Sequence, residues 1–324
     1  MVPAAPQAGP AVHVVIPTHT TRHLASCLAS IALQRLLPAT VVITCDTDAP
    51  EIGDVIDQVW PTVVATLHGR PAPTLMHVVR PHQGRAMLNQ VRNNGLRTLE
   101  AAGRLRDRDT VVVVDGDTLL APDAVSRHAE LAHLGYELVI PYRVNLSQQV
   151  TEAVTPEGVI HAAEHGCFEA LVGPPDGQEL SDRHRRYRRQ LLLRRVLPAW
   201  AGLNKPHKPK VLGGHHAASV RCLRAVNGYD EHYVSYGFDD DDLSRRLHAL
   251  RPPPRTSFAV KDIFAYHLWH PSRAPASPTL APGYERFVRD LPTVAEQGWR
   301  TPLPQPVPSV RLVSGVRGTI AAAS

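Results

Sequence analysis

Aromatic residues are scarce, at 5% of 324. So few rings argue against a platform on which bases stack. No zinc-finger spacing or RNP-type aromatic motif accompanies the basic residues, so no nucleic-acid partner is expected. The four cysteines (Cys27, Cys45, Cys167 and Cys222) are far apart and form no CxxC pair. That argues against a disulfide framework and suits reduced thiols in the cytosol. No stretch reaches the roughly 18 uninterrupted apolar residues of a membrane span. The opening MVPAAPQAGPAVHVVIP has neither a basic n-region nor a long apolar core, so no signal peptide is read and a cytoplasmic protein is expected. Internal repeats are also missing.

What is present is the 43% apolar and 20% charged content of a soluble globular chain, with 30 prolines that imply many loops. The length is enough for one large α/β core or two smaller ones. A net charge of +5 and a pI near 9.2 suit an anionic ligand or an acidic surface.

The central stretch is VVVVDGDT, Val111–Thr118. Four consecutive β-branched residues predict a strand buried on both faces, in the middle of a parallel sheet. Asp115 and Asp117 then stand where that strand breaks, at the carboxyl edge where open α/β sheets bind ligands. Gly116 permits a tight turn and keeps bulk away. Two such close carboxylates repel, and Mg²⁺ or Mn²⁺ commonly relieves this, completing its shell with water and phosphate oxygens. Taken alone, Asp-Gly-Asp equally suits a solvated strand end.

Around this stretch, strands and helices alternate. Strands are expected at Val12–Pro17, Thr40–Cys45, Leu75–Val79 and Glu137–Pro141, and helices at Leu24–Leu37, Arg85–Arg104 and Pro122–Leu134. This alternation predicts a doubly wound, mostly parallel α/β sheet. The pattern breaks between about Asn145 and Pro209, where Ser181–Trp200 reads as an Arg-rich helical insertion. Seven arginines fall between Arg183 and Arg195. They suit either a solvated arm or a contact with anionic lipid or a polyanionic acceptor. A late strand, Lys261–Trp269, ends in His267 and His270, and the Pro-rich tail from Pro271 is expected to wrap the surface or fray. Residues 1–10 read as a disordered Pro/Ala leader.

Four stretches together resemble the inverting family 2 glycosyltransferases of the GT-A fold and their galactosyltransferase and chondroitin-polymerase relatives. IPTHTTRHL resembles the first nucleotide-binding loop, bringing Pro17, Thr18 and Arg22 to the donor. VVITCDT resembles the second strand, whose terminal Asp46 would receive the uracil ring. DGD resembles the metal motif. GGHHAASVRCLRAVNGYDEHYVSYGFDDDDLSRRL, Gly213–Leu247, is similar to the acceptor and catalytic segment. The resemblance covers roughly residues 12–143 and 211–270, and omits the insertion and the tail. A weaker likeness, QGRAMLNQVRNNGL from Gln83, would add Arg92 and Asn93 to the nucleotide site.

The resemblance implies roles for individual residues. Asp117 would bind Mn²⁺ or Mg²⁺, with Asp115 toward the ribose or a metal water. One late histidine would complete the shell, His267 or His270. Asp240 would be the general base and Asp239 would hold an acceptor hydroxyl. Gly116, Gly213 and Gly214 would let the backbone approach the donor. Tyr236 stands in place of the usual Trp, Phe238 often of Gly, and Asp239 of Glu, which leaves the acceptor open. A donor half (11–143), an Arg-rich insertion (144–210), an acceptor/catalytic segment (211–270) and a Pro-rich tail (271–324) are expected. The implied partners are a UDP-sugar donor and a glycan or lipid-linked acceptor, with peripheral membrane contact through the Arg183–Arg195 helix at the inner face. Two alternatives stand beside this reading. A related-fold nucleotidyltransferase would want a glycine-rich loop after the first strand, where this chain has PTHTTRH. A non-catalytic polyanion-binding module would bind in a salt-sensitive, metal-independent way.

Overall fold

A computed structural model describes residues 9–197, 205–235, 237–271, 277–289 and 292–313. Tyr236, the end of the predicted Ser181–Trp200 helix, most of the N-terminal leader and parts of the tail lie outside the described residues.

Eleven strands are described: β1 (Val12–Thr18), β2 (Thr40–Cys45), β3 (Thr74–Val79), β4 (Thr110–Val114), β5 (Thr118–Leu120), β6 (Leu138–Val139), β7 (Tyr142–Asn145), β8 (His215–Ser219), β9 (Thr256–Ser257), β10 (Phe264–His267) and β11 (Ser309–Val313). The helices are α1 (Leu24–Ala32), α2 (Pro50–Ala65), α3 (Leu88–Ala101), α4 (Ala124–His133), α5 (Gln148–Ala153), α6 (Pro156–Glu164), α7 (Phe168–Val172), α8 (Gly177–Val196), α9 (Val220–Ala225), α10 (Asp239–Ala249) and α11 (Tyr284–Phe287).

Eight strands form the main sheet in the order β11-β3-β2-β1-β4-β8-β6-β9. β3, β2, β1 and β4 run parallel, as the alternation predicts, and β8 enters antiparallel beside β4. Successive strand residues point to opposite faces, which is why these strands are apolar throughout. Val14, Ile16, Val41, Ile43, Val112 and Val114 pack into the core that contains α1 and α2. Val15, Val42, Val111 and Val113 pack into the other core, with α3 and α10. On that face Gly95 of α3 sits where a Cβ would fall 2.6 Å from Val15 Cγ1, so the helix can lie this close only as glycine.

Three expectations are corrected. α1 stops at Ala32, well before Leu37, and the Gln34 side chain bonds back to Ser30 O at 2.7 Å. α3 spans only Leu88–Ala101, because residues 81–87 form a loop fastened to Asp46 and Gly103 ends the helix at φ 64°. The tail supplies an edge strand, β11, paired antiparallel with β3 and pinned by the Arg311–Asp57 ion pair at 2.8 Å.

Candidate active site

Strand order reverses between β1 and β4, and the crevice outside such a reversal is where open α/β sheets bind ligands. β1 delivers Pro17 and Thr18 to this point, and β4 delivers Asp115. Gly116 N donates to Pro17 O at 3.2 Å, and a Cβ on Gly116 would fall 2.8 Å from Thr18 Oγ1. Only glycine lets the two strand ends meet so closely. Asp115 Oδ1 is buried without a hydrogen-bond partner. Burial pushes its carboxyl up to about 7, against the pull of Arg92.

Asp117, two residues on, belongs to a different group. β5 pairs antiparallel with β10, setting Thr118 opposite His267, and Leu268 N donates to Asp117 O at 2.9 Å. Asp117 Oδ2 consequently lies 3.6 Å from His267 Nε2 and 3.1 Å from His270 Nε2. One ligand atom from each of the three lies within 4.8 Å of the others. Burial opposes the Asp117 carboxylate, but the bond to His267 and the nearby His270 outweigh it and lower its pKa. Two imidazole nitrogens and one carboxylate oxygen on one side of an open crevice fit a divalent transition ion such as Mn²⁺ better than Mg²⁺, which prefers all-oxygen shells. His267 and His270, the two candidates read from the sequence, both stand at Asp117.

The four aspartates that begin α10 separate by direction. Asp239 and Asp240 turn toward the crevice and converge on Arg92, at 2.7 and 3.4 Å from its Nη1. Arg92 Nη2 lies 3.8 Å from Asp115. Burial works against the Arg92 charge, but Asp240, Asp239 and Asp115 overcome it and raise its pKa. Its guanidinium also sits 5.2 Å over the Tyr229 ring, whose hydroxyl is 2.7 Å from His216 Nε2. Burial, reinforced by Asp239, pushes the Asp240 carboxyl up to about 7. A Cβ on Gly213 would collide with that carboxylate, so the glycine makes room for the acid. Phe238, the residue before α10, has φ 66° and stacks on Phe287 with centroids 4.9 Å apart. This left-handed backbone is one that glycine adopts most readily.

Other expected residues are placed differently. Arg92 and Asn93 are expected at the nucleotide; Arg92 is buried at the crevice among Asp115, Asp239 and Asp240, whereas Asn93 faces the protein interior. Asn93 is fully buried, and its amide donates to Tyr229 O at 2.8 Å and to Glu231 at 2.9 Å. Asp46 stands at the end of β2 as expected, and its carboxylate pairs with Arg80 and accepts from Met87 N at 2.8 Å. Arg22 is exposed on the loop after β1, and Gly214 lies beside Asp115. Sequence reading missed Arg143 on β7, whose Nη1 is 3.2 Å from the Cβ position of Gly214. An isolated arginine just before the insertion carries no motif signal.

Residues 203–252 match a family described as the N-terminal domain of galactosyltransferase. That stretch is galactosyltransferase-like. It contains the glycine pair, β8, α9 and α10, hence Asp239 and Asp240. No curated protein matches the sequence. Among solved structures, S. aureus TarS is 11% identical over 80% of this chain and 37% of its own length, with a TM-score of 0.47. GalNAc-T7, solved with UDP, GalNAc and Mn²⁺, is 13% identical over 87% of this chain and 48% of its own, with a TM-score of 0.49. Glucosyl-3-phosphoglycerate synthase from Mycobacterium tuberculosis, solved with Mn²⁺, UDP and phosphoglyceric acid, is 17% identical over 81% and 72%, with a TM-score of 0.39. The chain thus spans little more than a third of TarS and about half of GalNAc-T7.

Proposed function

We propose that the protein transfers a sugar from a UDP-sugar to an acceptor hydroxyl with inversion, using a divalent cation held by Asp117, His267 and His270. The observation that carries this reading is the joining of two clusters at one crevice. Asp115, two residues before Asp117, reaches Arg92, and Arg92 holds Asp239 and Asp240.

In this reading Asp240 takes the proton of the acceptor hydroxyl. The hydroxyl oxygen bonds to the anomeric carbon from the side opposite the diphosphate, and the carbon–diphosphate bond breaks. Asp239, fixed by Arg92, orients the acceptor. A pKa near 7 suits a base that must both hold and release a proton at neutral pH. The bound cation supplies Lewis-acid charge for the departing diphosphate. Gly213 and Gly214 leave room for the donor sugar, and Thr18 and Asp115 line the floor of the nucleotide site. No protein nucleophile is required.

The partner surface follows from α8. Arg185, Arg188, Arg189, Leu192 and Val196 recur at three- and four-residue spacings on one exposed stripe, with Leu192 at 60% and Val196 at 65% exposure. The opposite side is buried through Leu180 and Tyr187. Basic and apolar residues sharing one stripe suit an anionic lipid surface better than a soluble glycan, which favours a lipid-linked acceptor. No helix among the described residues is long and apolar enough to cross a membrane.

Incubation with individual UDP-sugars and Mn²⁺ tests the function, with UDP release measured and the anomeric configuration of the product read by NMR. An inverted product formed only with metal is expected. A retained anomeric configuration would eliminate Asp240 as base in this mechanism, and the absence of turnover across UDP-sugars and acceptors would remove the transferase reading.

A further inference from the structure

Arg143 makes no hydrogen bond and no ion pair with any described residue. Its setting makes this unusual. β7 and β10 pair in parallel, with Arg143 opposite Ala265 and Asn145 opposite His267. Residues two apart on a strand share a face, so Arg143 projects from the same side of the small sheet as His267. Its Nη1 lies 3.2 Å from the position a Cβ on Gly214 would take, and Asp115 Oδ2 lies 3.5 Å from that position. Arg143 therefore stands on the rim of the crevice, between the Asp117 group and the glycine pair.

Other interior arginines hold carboxylates: Arg80 with Asp46, Arg97 with Glu231, and Arg245 and Arg246 with Asp242. Arg92, also at the crevice, is engaged by Asp239 and Asp240 and is not available to an incoming anion. Across from Arg143, Asp115 Oδ1 is also without a hydrogen-bond partner. A guanidinium without a hydrogen bond and a carboxylate oxygen without one thus border one space without closing on each other, as they would at the edge of a ligand that has both oxyanions and hydroxyls. A planar guanidinium is matched to two oxygens of a phosphoryl or carboxylate group.

We propose that Arg143 binds an oxyanion of the nucleotide-sugar donor, either a phosphoryl oxygen of the diphosphate or a carboxylate carried by the transferred sugar. This assignment rests on the donor site proposed above and adds the residue that reads its charge.

Calorimetric titration in Mn²⁺ of the wild type, Arg143→Lys and Arg143→Gln tests it, with uridine, UDP, UDP-glucose and UDP-glucuronate as ligands. A charge-assisted hydrogen bond corresponds to about a 10- to 100-fold change in affinity. If the contact is to phosphoryl oxygen, Arg143→Gln weakens UDP by that factor, leaves uridine unchanged, and Arg143→Lys falls between. If the contact is to a sugar carboxylate, UDP is unaffected and the wild type's preference for UDP-glucuronate over UDP-glucose disappears in Arg143→Gln. Affinities equal to wild type for all four ligands would overturn the proposal. So would a parallel loss for uridine and UDP, which would mark general damage to the site. A wild type that binds no UDP would remove the donor site itself, an outcome distinct from binding that ignores Arg143.

Discussion

Asp239–Asp242 places four identical side chains in succession, and the two halves of the run have different surroundings. Asp242 is fully buried, with Arg245 at 2.6 Å and Arg246 at 2.7 Å, and Arg246 carries on to the carbonyls of Val226 and Gly228. Asp241 lies 3.4 Å from Lys208 and 3.0 Å from Lys210. Each of these acids has at least one cation. Asp239 and Asp240 share a single guanidinium and open onto the crevice. An acid matched by cations holds α10 in place, whereas a pair with too few cations has one member close to neutral pH. On the proposed mechanism this difference separates structural from chemical carboxylates more sharply than residue type does.

The comparison can be broken from either side. Asp240→Asn removes the proposed base and no ion pair that anchors α10, so transfer should fall by about 10²- to 10⁴-fold with the melting temperature unchanged or raised. Turnover near wild type in a folded variant would reassign the base. Asp242→Asn should do the reverse. Breaking a buried ion pair from one side costs about 3–5 kcal/mol, so chemical denaturation should shift markedly, while residual folded protein keeps its turnover per active site. Unchanged stability would show that Arg246 finds equivalent partners in its carbonyls.

A subtler effect separates the halves by pH. Asp240 must be ionised to accept a proton, and its pKa is raised to about 7. The transfer rate should therefore fall about tenfold per unit as pH drops below 7 and level off above it. A profile flat from pH 5 to 8 would contradict the assignment. The smallest effect is expected on α8. Reversing the charge of Arg185, Arg188 and Arg189 together should leave stability within about 0.5 kcal/mol, yet abolish sedimentation with phosphatidylglycerol vesicles at low salt. Equal sedimentation of wild type and variant would exclude the helix as a membrane contact.

Much of the sheet is legible in the sequence, because strands buried on two faces must be apolar throughout, and Val111–Val114 leaves little else to build. Asp115, Asp117 and the run at Asp239 are legible as acids at the ends of elements. Their division of labour is not. The pairing of β5 with β10 brings His267 and His270 to Asp117, whereas the packing of α3 brings Arg92 to Asp115. Such long-range registers leave no local trace. Asn93 looks like a ligand residue in sequence because polar side chains on a helix normally face solvent, and this one is buried against Glu231 and the Tyr229 turn. β11 escaped notice because SVRLV follows a proline-rich run and alternates on an exposed edge.

The central claim is that Asp117, His267 and His270 hold a divalent cation through which the donor diphosphate is bound. Thermal unfolding with UDP, with and without Mn²⁺, on the wild type and Asp117→Ala, tests it most directly, because a ligand selective for the folded state raises apparent stability by mass action. Stabilisation by UDP that requires Mn²⁺ and is lost in Asp117→Ala is the predicted result. Equal stabilisation by UDP without metal, or in Asp117→Ala, would contradict it.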